Sequence, residues 1–420
     1  MAALVVNGVP GTRQMAPGGV TSLPVRTIAV TVGVAVTLAL AVPAAARTVP
    51  ASAFTPERPL FGVSCTSPKY CVAVGFNETA DGGDGGPVAE TWNGRTWSAK
   101  ALKLPAGTSG GALFGVACKS QQRCVAVGDA FLQNDNTAAL TESWNGKTWT
   151  AARAPVPAGT TTAALNGVSC VTSADCVATG VYTRSNGVSG GLAETWNGRT
   201  WSDVSVKLPS GGVGGDLAWV SCAAAKSCVA VGSYGNAKDE TLLLAASWNG
   251  KSWTTARPSA PTGATSAALQ GVSCRSSVWC TAVGWYTRGT SGSYGLAESW
   301  NGKKWTEIAV PKSPGNGALY NVSCASAKNC LAVGTGGPAG NSQGTPASDV
   351  WNGKSWTFKL VPVPPKGGGS AALSALQGVS CVSATDCVAV GELDLGNGEQ
   401  RQYGFSGLWN GKGWRLAATA

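Results

Sequence analysis

Fourteen cysteines in this 420-residue chain form seven pairs of one spacing, with five residues between the two members of each pair. The pairs are Cys65/Cys71, Cys118/Cys124, Cys170/Cys176, Cys222/Cys228, Cys274/Cys280, Cys324/Cys330 and Cys381/Cys387. An even, paired set of cysteines favours disulfides in an oxidising compartment. Zinc thiolates are the alternative, but two cysteines supply half of a tetrahedral site and the chain has no histidine.

The cysteine pairs mark a longer repeat. Their first members are 53, 52, 52, 52, 50 and 57 residues apart. Each unit opens at a leucine (Leu60, Leu113, Leu165, Leu217, Leu269, Leu319 or Leu376) and closes at a tryptophan (Trp97, Trp149, Trp201, Trp253, Trp305, Trp356 or Trp414). A repeat period of about 50 residues is typical of four-stranded propeller blades and is too long for most helical or leucine-rich repeats.

Each unit contains four candidate strands. Strand a is the L-x-G-V-S-C run, as in residues 165–170, and strand b is C-V-A-V-G, as in residues 124–128. A five-residue turn with a cysteine at each end joins them, which predicts one disulfide across each antiparallel pair. The closed loop is small, so each bridge is expected to stabilise the fold by about 2 kcal/mol.

Strands c and d form a second hairpin around a repeated Asn-Gly. Asn-Gly between two strands is a strong signal for a two-residue type I′ turn. With such a turn at residues 93–94, Trp92 lies opposite Arg95 and Glu90 lies opposite Trp97. Both tryptophans then share one face of the blade, and an aromatic face suits the stacking of one blade on the next.

The seven units predict an all-β fold, a seven-bladed β-propeller with four antiparallel strands and one intra-blade disulfide per blade. The propeller is expected to occupy residues 60–420, with blades that start near residues 60, 113, 165, 217, 269, 319 and 376. Each blade is expected to come from one continuous segment. The alternative is that residues 50–58 add an outer strand to the last blade.

Residues 1–46 have the features of a secretory signal peptide. The basic residues Arg13 and Arg26 precede an apolar run over residues 28–42, which ends at an A-x-A site. We expect cleavage after Ala46, with Met15 as an alternative translation start. An uncleaved membrane anchor is the alternative, although the run is short for a span of ~20 residues. Residues 47–59 are a Pro-rich lead-in.

Removal of the signal peptide leaves a basic protein. Without Arg13 and Arg26, the 31 basic residues become 29 against 21 acidic residues, a net charge of +8. This excess permits attraction to anionic polymers and is equally common as plain solubility. The predicted location is secreted or extracellular, which includes the cell envelope.

The motifs of the unit resemble those of known propellers. The hairpin that ends in G-x-T-W, as in residues 198–201, resembles the Asp-box repeat of sialidase-type propellers. The order L-x-G-V, A-V-G, G-x-T-W over residues 60–416 is similar to propellers of the photosystem assembly-factor type. The box serine and aspartate are replaced by W-N-G, as in residues 144–146, so the resemblance implies the fold and not an activity.

The segments between strands b and c vary most among the units: 76–87, 129–139, 181–191, 233–243, 285–295, 335–347 and 392–405. As loops they would share the mouth of the central channel with the d–a connections, where a rigid scaffold places binding residues. Aromatic residues start most of them, including Phe131. We predict ligand binding by Phe76, Tyr182, Arg184, Tyr234, Trp285, Tyr286 and Arg288. The alternative is that these rings cap the core between blades.

Two sets of charged residues also repeat. The residue after Asn-Gly is basic in every unit: Arg95, Lys147, Arg199, Lys251, Lys303, Lys354 and Lys412. They either attract an anionic polymer or membrane surface, or are solvated cations that lie on tryptophan and shield an edge strand, which we favour. Acids precede the first hairpin tryptophan in five units: Glu90, Glu142, Glu194, Glu298 and Asp349. One acid per blade is poorly placed for a glycosidase pair, so we interpret them as salt-bridged or hydrogen-bonded groups.

The absence of histidine excludes an imidazole base and a Ser-His-Asp triad. We therefore expect a secreted, non-catalytic binding or scaffold propeller, and we lean against an enzyme. Its ligand is expected on the b–c/d–a loop face and is a polysaccharide, a cell-wall polymer or a protein. The alternative function is an extracellular glycan-active enzyme, a sialidase-like hydrolase or a lyase. We expect a monomer without cofactor, metal or specific nucleic-acid partner, which meets a membrane only through an uncleaved signal segment.

Overall fold

A computed structural model of the chain describes residues 58–78, 84–134, 136–289, 292–311, 317–336, 345–363, 374–394 and 402–420. These ranges contain 28 strands in seven four-stranded antiparallel sheets, which confirms the predicted all-β seven-bladed propeller. They contain no helix, and so none that is long and apolar enough to cross a membrane. The predicted signal peptide and lead-in up to residue 57 lie outside the described residues and stay predictions.

Each blade consists of four successive strands. Blades 1 to 3 are formed by β1 (Leu60–Ser67), β2 (Tyr70–Glu78), β3 (Asp84–Trp92), β4 (Trp97–Ala101); β5 (Thr108–Ser120), β6 (Arg123–Leu132), β7 (Thr137–Trp144), β8 (Trp149–Arg153); and β9 (Thr160–Cys170), β10 (Cys176–Arg184), β11 (Ser189–Trp196), β12 (Trp201–Asp203). Blades 4 and 5 are formed by β13 (Gly212–Ala224), β14 (Ser227–Asn236), β15 (Thr241–Trp248), β16 (Trp253–Ala256); and β17 (Ser266–Ser276), β18 (Trp279–Thr287), β19 (Ser293–Trp300), β20 (Trp305–Ile308). Blades 6 and 7 are formed by β21 (Ala318–Ser326), β22 (Asn329–Gly336), β23 (Thr345–Trp351), β24 (Trp356–Leu360); and β25 (Ala375–Ser383), β26 (Asp386–Asp394), β27 (Gln402–Trp409), β28 (Trp414–Ala418).

Among the described residues, every blade is one continuous segment, while residues 50–57 of the alternative outer strand lie outside them. Strands a are innermost, and β1 packs between β5 of blade 2 and β25 of blade 7. All four strands of blade 7 come from residues 375–418. Hydrogen bonds join the two ends of the ring: Arg58 Nη1 donates to Ala420 O at 2.9 Å, and Ala420 N donates to Glu90 Oε2 at 3.0 Å.

Strand b is buried on both faces, which explains its continuous apolar sequence. In blade 1, Cys71 and Ala73 pack with Leu60 against blade 7, whereas Val72 and Val74 pack against blade 2. The glycine that ends the A-V-G run has a separate reason. A Cβ added at Gly75 would lie 1.9 Å from the main-chain oxygen of the residue before Leu60, so strands a and b approach too closely for any side chain there.

The seven predicted disulfides are all present, and the two cysteines of each pair lie directly opposite each other in strands a and b. The bridges are Cys65–Cys71, Cys118–Cys124, Cys170–Cys176, Cys222–Cys228, Cys274–Cys280, Cys324–Cys330 and Cys381–Cys387. No free cysteine remains among the described residues. One bridge per blade is therefore confirmed.

The predicted five-residue turn between the cysteines is wrong for six blades. In these blades strand b begins one residue before its cysteine and not at the cysteine. The cysteines concerned are Cys71, Cys124, Cys228, Cys280, Cys330 and Cys387. Strand a likewise continues past the first cysteine, as from Cys65 to Ser67, so that two residues form the tip. A bulge beside the first cysteine absorbs the odd residue. The predicted turn is found only in blade 3, where strand b begins at Cys176.

The second cysteine of each pair is a core residue. All seven are at most 4% exposed and pack in the hydrophobic core of their blade: Cys71, Cys124, Cys176, Cys228, Cys280, Cys330 and Cys387. Their sulfur atoms therefore offer no surface to a ligand. The bridges have a structural role, in which they tie strand a to the buried strand b.

Serines link the inner strands around the ring. The serine before the first cysteine accepts a hydrogen bond from the main-chain N–H of the first cysteine in the following blade, as in Ser169 Oγ with Cys222 N at 3.0 Å. Six of the seven blade interfaces have this bond, including the closing one between Ser380 and Cys65. The seventh is missing at Cys170, because Ala117 replaces the serine in blade 2.

The register predicted for the c–d hairpin is wrong. Trp92 lies opposite Trp97, not opposite Arg95, so the loop has four residues. Asn93 explains the difference: its Oδ1 accepts hydrogen bonds from the main-chain N–H groups of the second and third residues after it, at 2.9 and 3.0 Å. A type I′ turn needs two residues with positive φ, whereas this loop has one, Gly94 (φ 93°), and is stabilised by the hydrogen bonds of the Asn93 side chain. All seven tryptophan pairs meet at 5.4–5.5 Å between ring centroids.

Candidate functional site

A β-bulge on every inner strand determines the lining of the central channel. In strand a of blade 1, pairing steps from Leu60 to Gly62 and skips Phe61. Leu60 packs against blade 7 and Gly62 against the main chain of blade 2, so the skipped residue faces the centre of the ring. The seven equivalent channel residues are Phe61, Phe114, Asn166, Ala218, Gln270, Tyr320 and Gln377.

Three phenylalanines form an aromatic wall in blades 1 and 2. Phe61 stacks on Phe76 of β2 with 5.9 Å between ring centroids. It also meets the edge of Phe114 of blade 2 at 5.7 Å. All three rings are half-buried. Phe76 is therefore one predicted site residue that the structure brings next to the channel residues.

A polar cluster occupies blades 6 and 7, on the other side of the closing interface. Gln377 Nε2 donates a hydrogen bond to Glu392 Oε1 at 3.0 Å. Burial raises the pKa of Glu392, and the Gln377 hydrogen bond opposes that rise. Burial also raises the pKa of Tyr320, which is hydrogen-bonded to Thr335 and feels the charge of Glu392. Tyrosine, amide and carboxyl groups therefore share one small region of the channel wall.

Other buried acids lie in separate blades. In blade 4, Ser233 Oγ donates to Asp216 Oδ1 at 2.7 Å, and burial raises the pKa of Asp216. Asp129, which follows the strand-b glycine of blade 2, is 6% exposed. The pKa of neither Asp216 nor Glu392 is raised by a second carboxylate.

Where the structure describes the predicted b–c loops, their ends are parts of strands b and c; residues 79–83, 135, 290–291, 337–344 and 395–401 lie outside the described residues. In blade 3, β10 and β11 pair continuously from Cys176↔Trp196 to Thr183↔Ser189, which leaves residues 185–188 as the turn. Main-chain pairing requires no particular side chains, so strands extend through a variable sequence. Phe131 likewise lies on β6 and not in a loop.

Two of the predicted aromatic residues are in contact with an arginine that lies over the ring. Arg184 lies over the Tyr182 ring at 5.2 Å, and Arg288 lies over the Tyr286 ring at the same distance. The two pairs occupy blades 3 and 5, with blade 4 between them. Tyr286 also stacks on Tyr294 of the next strand at 5.3 Å.

The remaining predicted residues differ in their exposure. Tyr234, the blade 4 equivalent of these tyrosines, is only 3% exposed and packs between blades 3 and 4. Trp285 is half-buried on β18. The burial of Tyr234 agrees with the alternative in which such rings cap the core between blades. A role in ligand binding stays a prediction for the whole set.

The five repeated acids are buried, and Glu90 fits the hydrogen-bonded interpretation, since its Oε2 accepts a hydrogen bond from Ala420 N. Glu90, Glu142, Glu194, Glu298 and Asp349 are at most 4% exposed. Both carboxyl oxygens of Glu142, Glu194 and Glu298 lack a hydrogen-bond partner among the described residues. Burial raises the pKa of Glu90 and Asp349 to about 7, of Glu142 and Glu298 to about 8, and of Glu194 to about 9. In blades 4 and 7 the same position holds Ala246 and Gly407.

Sequence reasoning missed the channel residues, although a signal exists. The position between Leu and the next motif residue holds Phe, Phe, Asn, Ala, Gln, Tyr and Gln in the seven units, whereas the residues around it are nearly fixed. A bulge cannot be read from a period-2 pattern, so the variable residue seemed to be an ordinary strand position. The described residues contain no group of three or more potential metal ligands.

No protein-family model and no curated protein sequence matches this chain. Solved propeller structures resemble it at the level of the fold. An ulvan lyase of a polysaccharide lyase family has 10% identity, covers 89% of this chain and 98% of its own, and gives a TM-score of 0.56. YCF48 from Cyanidioschyzon merolae has 13% identity, 87% and 98% coverage, and a TM-score of 0.48. A six-bladed fucose-binding lectin from Aleuria aurantia has 12% identity, 75% and 100% coverage, and a TM-score of 0.44.

Proposed function

We propose that this protein is a secreted, non-catalytic binding propeller that takes a polysaccharide, a cell-wall polymer or a protein on its b–c/d–a loop face. Seven disulfides support an oxidising, extracellular environment. The binding role is supported by a contrast between the repeated residues and the channel residues. The repeated cysteines, tryptophans and glycines are used in packing, whereas the channel residues differ from blade to blade.

The composition of the channel wall suits a ligand with one apolar and one polar face. Phe61 and Phe114 offer ring surfaces, and Tyr320, Gln377 and Glu392 offer hydrogen-bonding groups in neighbouring blades. A sugar ring has an apolar C–H face and a hydroxyl-bearing edge, and it combines these two requirements. Glycans are therefore the first ligand class to test, and peptides the second.

The test is a screen of the purified protein against glycans, cell-wall polymers and peptides at low and moderate salt. We expect salt-resistant binding to one ligand class. Phe61→Ala and Gln377→Ala should each weaken that binding at least about tenfold, because each removes a buried contact. Gln270→Ala, a channel residue of blade 5, is the matched control. Absence of binding, or equal loss in all three variants, would contradict a site at blades 6, 7, 1 and 2.

The predicted tyrosines receive their own variants. Tyr182→Ala and Tyr286→Ala each remove a ring and its contact with the arginine above it, and a loss of binding without a loss of stability would place the ligand on them. Since Tyr234 is buried, Tyr234→Ala should reduce stability whatever the ligand. Unchanged binding in the first two variants would confine the site to the channel residues.

A glycan-active enzyme is the second candidate, supported by the approach of Tyr320 to Glu392. A lyase needs a proton acceptor and a donor, and a raised carboxyl pKa beside a tyrosine is one form of such a pair. Incubation with acidic and neutral polysaccharides tests it by the appearance of new chain ends. Turnover that disappears in both Tyr320→Phe and Glu392→Gln would favour the enzyme, and binding without turnover would favour the proposal above.

A further inference from the structure

The end of the propeller opposite to the b–c and d–a loops is strongly basic. We call this end the turn face and define it as the residues between the two cysteines of each pair and between the two tryptophans of each c–d hairpin. Because the four strands of a blade are antiparallel, both sets of turns lie at this same end. Every residue of the turn face belongs to the described part of the chain.

The turn face holds 14 basic residues and two acidic ones. The basic residues are Lys69, Arg95, Lys119, Arg123, Lys147, Arg199, Lys226, Lys251, Arg275, Lys303, Lys304, Lys328, Lys354 and Lys412, and all are exposed. From Arg58 onward the chain has 28 basic and 20 acidic residues, so the rest of the propeller holds 14 and 18. The net formal charge is thus +12 on the turn face and −4 elsewhere, which is a segregation of charge and not a general excess.

The two acids divide the turn face into sectors. Asp175 of blade 3 accepts a hydrogen bond from Thr172, and Asp386 of blade 7 accepts one from Ser383. Blades 4 to 6 lie between them without an acid. Their seven cations form what we call the basic arc: Lys226, Lys251, Arg275, Lys303, Lys304, Lys328 and Lys354.

Lysine side chains of the basic arc pack against the neighbouring turn of their own blade. The Lys226 side chain packs on the turn glycine before Lys251, where an added Cβ would lie 2.6 Å from Lys226 Cγ. The Lys328 side chain packs in the same way beside Lys354. Trp351 Nε1 fixes the two turns of that blade together by donating to Ala327 O at 3.1 Å. The two turns of one blade therefore carry like charges on neighbouring segments, and an anion bound there would lower their mutual repulsion.

Other uses of these cations are not observed. No cation of the turn face lies over an aromatic ring among the described residues, where the cation–π contacts involve Lys100, Arg184 and Arg288. The prediction that the hairpin cations lie on tryptophan therefore finds no support. Their side chains remain free for a ligand.

We propose that the basic arc binds a flexible polyanion that carries phosphate groups along its chain. A curved track of paired cations over three successive blades matches repeated charges on a flexible chain. A flat surface would instead meet the whole ring, including the acids of blades 3 and 7. The loop face is at the opposite end, so the protein holds the polymer and leaves the channel mouth open to its own ligand.

The experiment measures binding of the full-length protein to inorganic polyphosphate over a range of salt concentrations. An arc variant replaces four cations by glutamine: Lys226, Lys251, Lys328 and Lys354. A control variant makes the same change in net charge at four exposed cations of the loop end: Lys103, Lys207, Lys238 and Arg257. Thermal unfolding of both variants checks that the fold is intact.

We expect the arc variant to lose at least about tenfold in affinity at low salt and its slope of log K against log salt to fall by about 3, since each lost contact contributes ~0.7–0.9. The control variant should stay within about twofold of the original protein. Equal losses in the two variants would show a net-charge effect and overturn the proposal. Wild-type binding by the arc variant, or binding to anionic phospholipid vesicles but not to polyphosphate, would also overturn it.

Discussion

Glu142 has a consequence for how stability depends on pH. Its side chain is fully buried between blades, and neither carboxyl oxygen has a hydrogen-bond partner among the described residues. Burial raises its pKa from 4.5 to about 8. In the folded protein the group therefore keeps its proton at neutral pH, whereas in the unfolded chain it has lost it.

The sign follows from the protons bound in the two states. Between about pH 5 and pH 8 the folded state binds one more proton at Glu142 than the unfolded state does. The contribution of this group to the free energy of unfolding is therefore complete below pH 4.5. It decreases as pH rises toward the folded pKa, by about 1.4 kcal/mol per pH unit. Over three pH units one such group changes the free energy of unfolding by about 4 kcal/mol, and water that enters the interface would reduce that figure.

Glu142→Gln removes the titration and nearly preserves the shape. We expect chemical denaturation at pH 5, 6, 7 and 8 to show a smaller decline of unfolding free energy with pH in this variant. The variant should exceed the original protein in stability at pH 8 and lose that advantage at pH 5. Glu240→Gln, which removes an exposed acid, is the control for the loss of a carboxyl group. An identical slope for the Glu142 variant and the original protein would refute the buried, protonated state of this carboxyl.

Two further predictions concern local structure. Ala117→Ser should supply the missing acceptor for the Cys170 N–H and raise the unfolding free energy by about 1 kcal/mol, while Ser169→Ala should lower it by a similar amount. Denaturant midpoints measure both changes. Two unchanged midpoints would show that the serine hydrogen bonds between blades do not stabilise the fold. Gly146→Ala should cost about 1–3 kcal/mol because φ is 94° there, whereas Gly86→Ala, in open space, should be close to neutral in the same assay.

The strands could be predicted because their signals are local and repeated seven times. Cysteine spacing determined the a–b pairs, and the A-V-G glycine has a contact that recurs in every blade. The c–d register was wrong because the Asn93 side chain, and not a second positive φ, satisfies the turn. A dipeptide signal identifies the hairpin but does not count its loop residues.

The candidate site was harder to predict, since it depends on how blades meet. The contact of Phe61 with Phe114 joins residues 53 positions apart, and it exists only after a bulge turns both rings to the channel. The burial of Glu142 likewise results from the stacking of one sheet on another. Neither the bulge nor the desolvation of a strand acid has a signature within one unit. The charge segregation, in contrast, can be predicted from the sequence once the positions of the turns are known.

The short distance along the chain between disulfide partners determines how the protein can be made. Fourteen cysteines allow on the order of 10⁵ complete pairings, yet every native partner is six residues away. A hairpin of this size forms within microseconds. If the chain enters an oxidising compartment N-terminus first, each bridge can close as soon as its own hairpin emerges, before the cysteines of the next blade arrive. Oxidation then follows the order in which the hairpins emerge. The bridge of one blade is closed before the cysteines of the next blade can compete for its thiols.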